Sequence, residues 1–292
     1  MKEKSVTKGI LATVVVWLTA GWSVPLVNEY RAYSPEMLLI VRGLAVMVSI
    51  LLVRIIHRNA WFSDWKAVAS GIVFGIASVA FFRAVSVWGA NPTITVLTLT
   101  PIVNFVFAVV REKKFPWSAA ISLAIIVAGV FLALQPWKND IHPQGLVWAI
   151  LAAITSGLGF ECWGTTKATK PAKFWWYSVF TIVMSAIMLK IEGGKFILVP
   201  ENSDWKTSLY VFSIIGSFGG IAYFWAATVS LENLPTTHAS VLLQGETPAV
   251  IIGSAILIGT VLSRIQWVGI GLTLVGICYL VVVTERLKKH GE

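Results

Sequence analysis

Apolar residues run along this chain in long unbroken blocks, and polar residues gather in the short gaps between them. The blocks do not alternate apolar with polar, as the strands of a membrane barrel would. Each is close to the ~20 residues that a helix needs to cross a bilayer. Ten spans are expected, at 8–27, 35–56, 65–88, 91–110, 116–134, 145–166, 174–191, 205–230, 235–260 and 265–283. Tryptophans and prolines cluster at their ends, as at Trp61, Trp65, Pro116, Trp117, Trp175, Trp176 and Trp267. Amphipathic rings favour the headgroup boundary.

Two blocks break the apolar rule. Span nine carries His238, Gln244 and Glu246, with Pro248 two places on, and span four runs from Pro92 through several threonines to a mid-span Pro101. A charge at bilayer depth costs roughly 2.5–3.5 kcal/mol on insertion scales. A helix that keeps Glu246 is therefore expected to face protein or water.

These two spans hold equivalent places in a repeat. Spans one to five and six to ten match in order. Trp17 answers Trp163, residues 81–88 answer 223–230, and 118–134 answer 267–282. Five is odd, so the second copy enters from the opposite side of the membrane. The expected fold class is an all-α integral membrane protein of ten transmembrane helices, built as two inverted five-helix repeats around a central cavity. Its units are 1–134 and 144–292, joined by a linker at 135–143. In such a build the substrate site lies at the repeat interface near the midplane.

Composition agrees: 57% of residues are hydrophobic and 13% charged, with a mean hydropathy of +0.78. A soluble domain averages about 25% charged residues. The net charge of +9 does not mark a nucleic-acid binder, because the basic residues sit in short gaps between apolar blocks. Fifteen Lys and Arg fall in gaps on the side of the N-terminus: Lys2, Lys4, Lys8, Arg54, Arg58, Lys66, Arg111, Lys113, Lys114, Lys167, Lys170, Lys173, Arg286, Lys288 and Lys289. Six fall opposite: Arg31, Lys138, Lys190, Lys195, Lys206 and Arg264. That bias places both termini in the cytoplasm. Cys162 and Cys278 lie inside apolar blocks as packing residues. No GxxxxGK[ST] stretch occurs, which disfavours a self-contained ATP-driven pump. His57, His142, His238 and His290 are scattered, which argues against a membrane enzyme. No cofactor and no metal site is expected.

Glu246 is the sharpest candidate, as a cation site or proton carrier; permanent pairing with a basic neighbour is its structural alternative. His238, eight residues earlier, is a candidate for proton coupling or an interfacial residue. Thr237, Ser240 and Gln244 form one polar stripe, and Thr93, Thr100 and Asn104, with Thr98 nearby, form another. The stripes suit a cavity lining or interhelical hydrogen bonding. Arg42 could hold a carboxylate or pair with Glu161 or Glu246, and Arg83 could snorkel to the boundary. Glu161 is the other acid within a span. Trp17, Trp22, Trp163, Phe81, Phe82, Tyr223, Phe224 and Trp225 are rings for stacking or for packing.

The chain resembles the ten-helix EamA members of the drug/metabolite transporter superfamily. The resemblance rests on Trp17 in a small-residue first helix, Arg42 in LIVRGLA, and the Ala84 end of helix three. It continues through the Asn91-to-Pro101 helix, the REKK turn at 111–114 and HASVLLQGETPAV at 238–250. Such members usually close helices four and nine with Gly-Glu; here Glu112 comes early and Gly259 is followed by Thr260. The resemblance implies transport, mostly export, of amino acids or related metabolites. The expectation is a monomeric secondary transporter of the bacterial inner membrane, working by alternating access and driven by protons. Its partners are a small-molecule substrate and the lipid bilayer. The rival is transport of cationic drugs or quaternary amines.

Overall fold

In the computed structural model, residues 5–29, 33–57, 61–113, 115, 117–138, 140–194, 197, 199–200, 203–259 and 261–289 are described. Lys2, Lys4, Arg31, Arg58, Lys114, Pro116, Lys195, Thr260 and His290 lie outside them. So do the side chains of His57, Arg111, Glu112, Lys138, Arg286, Lys288 and Lys289.

The described residues form helices joined by short loops. In chain order these are α1 (Val6–Glu29), α2 (Pro35–His57), α3 (Trp65–Trp88), α4 (Ala90–Leu97), α5 (Thr100–Glu112) and α6 (Trp117–Leu134). Then follow α7 (Pro143–Thr165), α8 (Lys170–Ile191), α9 (Trp205–Gly216), α10 (Tyr223–Asn233), α11 (Thr236–Leu243), α12 (Glu246–Ile258) and α13 (Arg264–Lys289). They provide ten segments long and apolar enough to cross a membrane. Lipid offers no hydrogen bonds, so the backbone must satisfy itself within each helix.

Three of the ten are interrupted. Span four breaks between α4 and α5, where the N–H groups of Thr98 and Leu99 reach back only three residues, to Thr95 and Val96. Span nine breaks likewise between α11 and α12, with Gln244 N–H on Val241 and Gly245 N–H on Leu242. Pro101 and Pro248 lack the N–H that would have bonded the carbonyls of Leu97 and Gln244, so the regular ladder cannot continue. Both spans end on a left-handed residue, Lys113 at φ 52° and Gly259 at φ 73°. Span eight contains a wide turn of π-helix at Ser217–Ala222, between α9 and α10.

Contacts between loops and helix ends test the alternation of spans. Ser5 N–H bonds the Asn233 side chain at 3.1 Å, and Lys170 pairs with Glu232 at 2.9 Å. At the other end Trp88 donates to Asp140 O at 2.8 Å, and Gln135 to Ser263 at 2.9 Å. Arg83 pairs there with both Glu36 and Glu192. Every one of these pairs joins ends that ten alternating spans put on one face. The first face is called here the N-terminal face.

α3 packs on α7 and α8, and α2 on α8. Span eight packs in turn on α1 and α2. α5 and α4 meet α7, as α12 and α11 meet α1, while α6 pairs with α13. Exchanging the first five spans for the last five leaves this set of contacts unchanged. Small polar residues share the interior with a large apolar core, and apolar side chains also cover the outside. Thr93, Ser122, Ser178 and Thr228 are fully buried, while Leu11, Ile55 and Val110 are 62–74% exposed, as lipid-facing side chains are.

Asp64 caps α3 and ties it to the end of α7. It accepts from Ala67 N–H at 2.9 Å, Lys167 N–H at 3.0 Å and the Thr166 hydroxyl. Its partial burial pushes the carboxyl up, but these hydrogen bonds and the Lys66 charge outweigh that and hold it below the usual carboxylate range. A depressed value means the stabilisation is complete above the unfolded value near ~3.9 and is lost as pH falls through the folded one. Asp64→Ala is expected to cost about 1–2 kcal/mol. Melting of variant and parent at several pH values checks this: the gap should persist at neutral pH and close in acid, below about pH 4.

Candidate functional site

The helices enclose a central cavity of about 130 Å³. Its wall comes from α1 (Ala20, Ser23, Val24), α2 (Arg42), α3 (Phe74, Ala77, Ser78, Phe81, Phe82) and span four (Ile94, Leu97, Thr100). α7 adds Ser156 and Phe160. Span eight adds Ile215, Gly219, Tyr223 and Phe224, and span nine Leu243, Gln244, Glu246, Thr247 and Val250. All three interruptions therefore border it: the α4–α5 break through Leu97 and Thr100, the π turn through Gly219, and the α11–α12 break through Gln244 and Glu246.

The break puts Glu246 at the first position of α12, where its side chain enters the cavity instead of the lipid. Tyr223, first residue after the π turn, donates its hydroxyl to Glu246 Oε1 at 2.9 Å. Arg42 reaches in from α2. Its guanidinium carbon lies 4.9 Å from the ring centre of Phe224, 5.7 Å from Tyr223, 5.8 Å from Phe82 and 6.0 Å from Tyr177. Ring faces attract such a cation. The Arg42 Nε is buried without a hydrogen-bond partner. Among the described residues neither Arg42 nor Glu246 belongs to an ion pair. The cavity thus holds one cation and one acid, each supported by neutral groups.

Beneath, toward the N-terminal face, aromatic rings fill the space. Phe74 meets Phe160 edge-on at 5.2 Å and Trp163 at 5.3 Å, and Trp163 meets Phe174 at 5.6 Å. Tyr177 and Phe224 lie 3.9 Å apart.

Of the residues singled out from sequence, the structure brings Arg42, Tyr223, Gln244 and Glu246 together, with Thr100, Phe81, Phe82 and Phe224. The rest lie outside the lining. Trp17 donates to Leu242 O at 2.9 Å and borders an apolar groove between α1 and α12. Trp163 belongs to the ring cluster and donates to the Thr228 hydroxyl at 3.1 Å. Glu161 sits in the last turns of α7, and His238 in the first turn of α11, buried. The hydroxyls of Ser240 and Thr98 serve their own helices, bonding Thr237 O and Thr95 O. Asn104 is fully buried on α5. Ser23, Ser78, Ser156 and Thr247 line the cavity unannounced, since an isolated small hydroxyl on an apolar helix carries no pattern.

A polytopic helical protein with a polar chamber held between interrupted helices is the architecture of membrane transporters. The family model described as the EamA-like transporter family matches residues 143–282. Residues 143–282 are thus similar to that family, which lies within the drug/metabolite transporter superfamily. A solved structure, described only as the crystal structure of a protein, is similar at a TM-score of 0.78 and 14% identity. The likeness covers 97% of this chain and 99% of the other, and is one of fold. No curated protein matches.

Proposed function

We propose that this protein is a secondary transporter that moves a small amino acid or related zwitterion by alternating access. The observation that carries the reading is the presence of Arg42 and Glu246 together in one cavity. A guanidinium suits a substrate carboxylate, and a buried acid suits an ammonium group or a coupling proton. The rings of Phe82, Tyr223 and Phe224 are partly taken up by Arg42 itself. That favours a zwitterion over the quaternary amine of the rival reading, which would need those faces free.

Two inverted units, 1–134 and 144–292 with a linker at 135–143, supply the alternation. Several independent features support them. Trp88 and Leu234 meet Gly145 and Gly9, and Val103 and Ala249 meet Gly157 and Gly21. Thr98 and Gln244 follow the breaks, and Lys113 and Gly259 close the spans. Each of these four pairs is 146 residues apart. Spans one and six stand 136 residues apart instead, Gly9 against Gly145 and Gly21 against Gly157, so Trp17 stands opposite Ala153 and not opposite Trp163; the 146-residue register holds for spans four and nine. Glu246 answers Thr100 and Leu243 answers Leu97, and all four line the cavity. The chamber therefore straddles the pseudo-axis. Export across a bacterial inner membrane, proton drive, cytoplasmic termini and a monomeric state complete the proposal.

A thermal-shift panel on the purified protein tests it. A zwitterionic amino acid at 100 times its Kd should add about 2.7 kcal/mol of stability, and Arg42→Ala should remove the shift. Stabilisation by quaternary amines but by no amino acid would overturn the assignment.

A further inference from the structure

We propose that Asn104 forms part of the wall that the substrate meets when the cavity opens to the N-terminal face. This rests on the inverted-unit reading above. In the 146-residue register Gln244 answers Thr98 and Val250 answers Asn104. Gln244 and Val250 line the cavity; Thr98 and Asn104 do not. Thr100 and Glu246 both do. On the side away from the N-terminal face both spans line the chamber, through Ile94 and Val250; their counterparts toward the N-terminal face, Ser240 and Asn104, do not, so that half is closed.

Asn104 shows that the closed half is built to open. Its side chain is fully buried, and neither its amide nitrogen nor its amide oxygen has a hydrogen-bond partner. Nearly all buried polar groups are partnered, because leaving one bare forfeits its hydration. Leucine has a similar volume and would suit this setting without that penalty. The amide gains partners once span four separates from its neighbours: water first, then the solute. Carrying both donor and acceptor, it serves either the carboxylate or the ammonium end of a zwitterion. The closed side is also where the Phe74, Phe160 and Trp163 rings are packed.

Single-cysteine proteins test this, in a background of Cys162→Ser and Cys278→Ser. Val250→Cys and Asn104→Cys are each exposed to a membrane-impermeant maleimide from either face of oriented vesicles. Val250→Cys should react from the face opposite the N-terminus and Asn104→Cys from the N-terminal face, each with a preference of about tenfold or more. Asn104→Leu should melt no lower than the parent yet transport about tenfold more slowly. If Asn104→Cys reacts from the same face as Val250→Cys, or stays inert while Val250→Cys reacts, the inference falls and the transporter reading stands. Full flux by Asn104→Leu also overturns it. Failure of both cysteines to react from either face would remove the aqueous chamber, and the transporter reading with it.

Discussion

Glu246→Gln is expected to abolish transport while leaving the protein folded. The two side chains have the same shape, and the amide oxygen of glutamine still accepts the Tyr223 hydroxyl that now sits 2.9 Å from Glu246 Oε1. The start of α12 and the packing around the break are untouched. What disappears is the negative charge facing Arg42 across the cavity, together with the exchangeable proton. A neutral amide gives an ammonium group no counter-charge. Removing one partner of a desolvated charge contact costs 2–5 kcal/mol, so flux in proteoliposomes should fall by about 30-fold or more. The melting temperature should stay within about 2 °C of the parent, under 1 kcal/mol for a chain of this size. Unchanged flux would take Glu246 out of the mechanism. Tyr223→Phe divides the effect: it deletes the hydroxyl donor but keeps the acid, and a smaller loss is expected.

Much of the fold was readable in the chain. Lipid forces every span to satisfy its own backbone, so block length alone located ten helices, and the third, Trp65–Trp88, coincided end to end. Pro101 and Pro248 announced the broken spans, because a missing N–H interrupts the ladder whatever surrounds it. The π turn at Ser217–Ala222 was less legible. Gly219 and Gly220 lie within it, but no residue type dictates an extra residue per turn. The candidate site was half legible. Polar stripes on spans four and nine pointed to helices that border the cavity, but periodicity cannot tell which half of a two-sided chamber is open. So Gln244 and Glu246 lie in the cavity, while Thr98 and Asn104 do not. The partners of Arg83 were illegible for a different reason. Its partners Glu36 and Glu192 are distant in sequence, and only packing of α2, α3 and α8 brings them together. Aromatic residues were hardest to sort, since Trp17, Trp163 and Phe224 look alike in a sequence. They end in a lipid-side groove, a ring cluster and the cavity wall.

Gly253→Val is expected to do the largest structural damage. α1 and α12 cross so closely that a Cβ on Gly253 would stand 2.0 Å from the carbonyl oxygen of Gly21, 2.8 Å from its carbon and 3.3 Å from its Cα. All three are backbone atoms, so no side chain can swing aside. Gly21 is equally pressed, with 2.8 Å between its own notional Cβ and Ala249 O. The helices must part, and in a membrane such crossings are held by close backbone contact between small residues. Overpacking a core costs 1–3 kcal/mol and occasionally more; with backbone on both sides the upper end is expected, a fall of about 10 °C in melting temperature. Gly271→Val on α13 is the matched control, because nothing lies within 4 Å of a Cβ there, and it should melt within about 2 °C of the parent. Equal melting of the two variants would mean that the α1–α12 crossing is not close. α1 and α12 also carry facing parts of the cavity wall, Ser23 and Val24 against Glu246 and Val250. Parting them moves Glu246 away from Arg42, so Gly253→Val should lose stability and flux together, whereas Glu246→Gln loses flux alone.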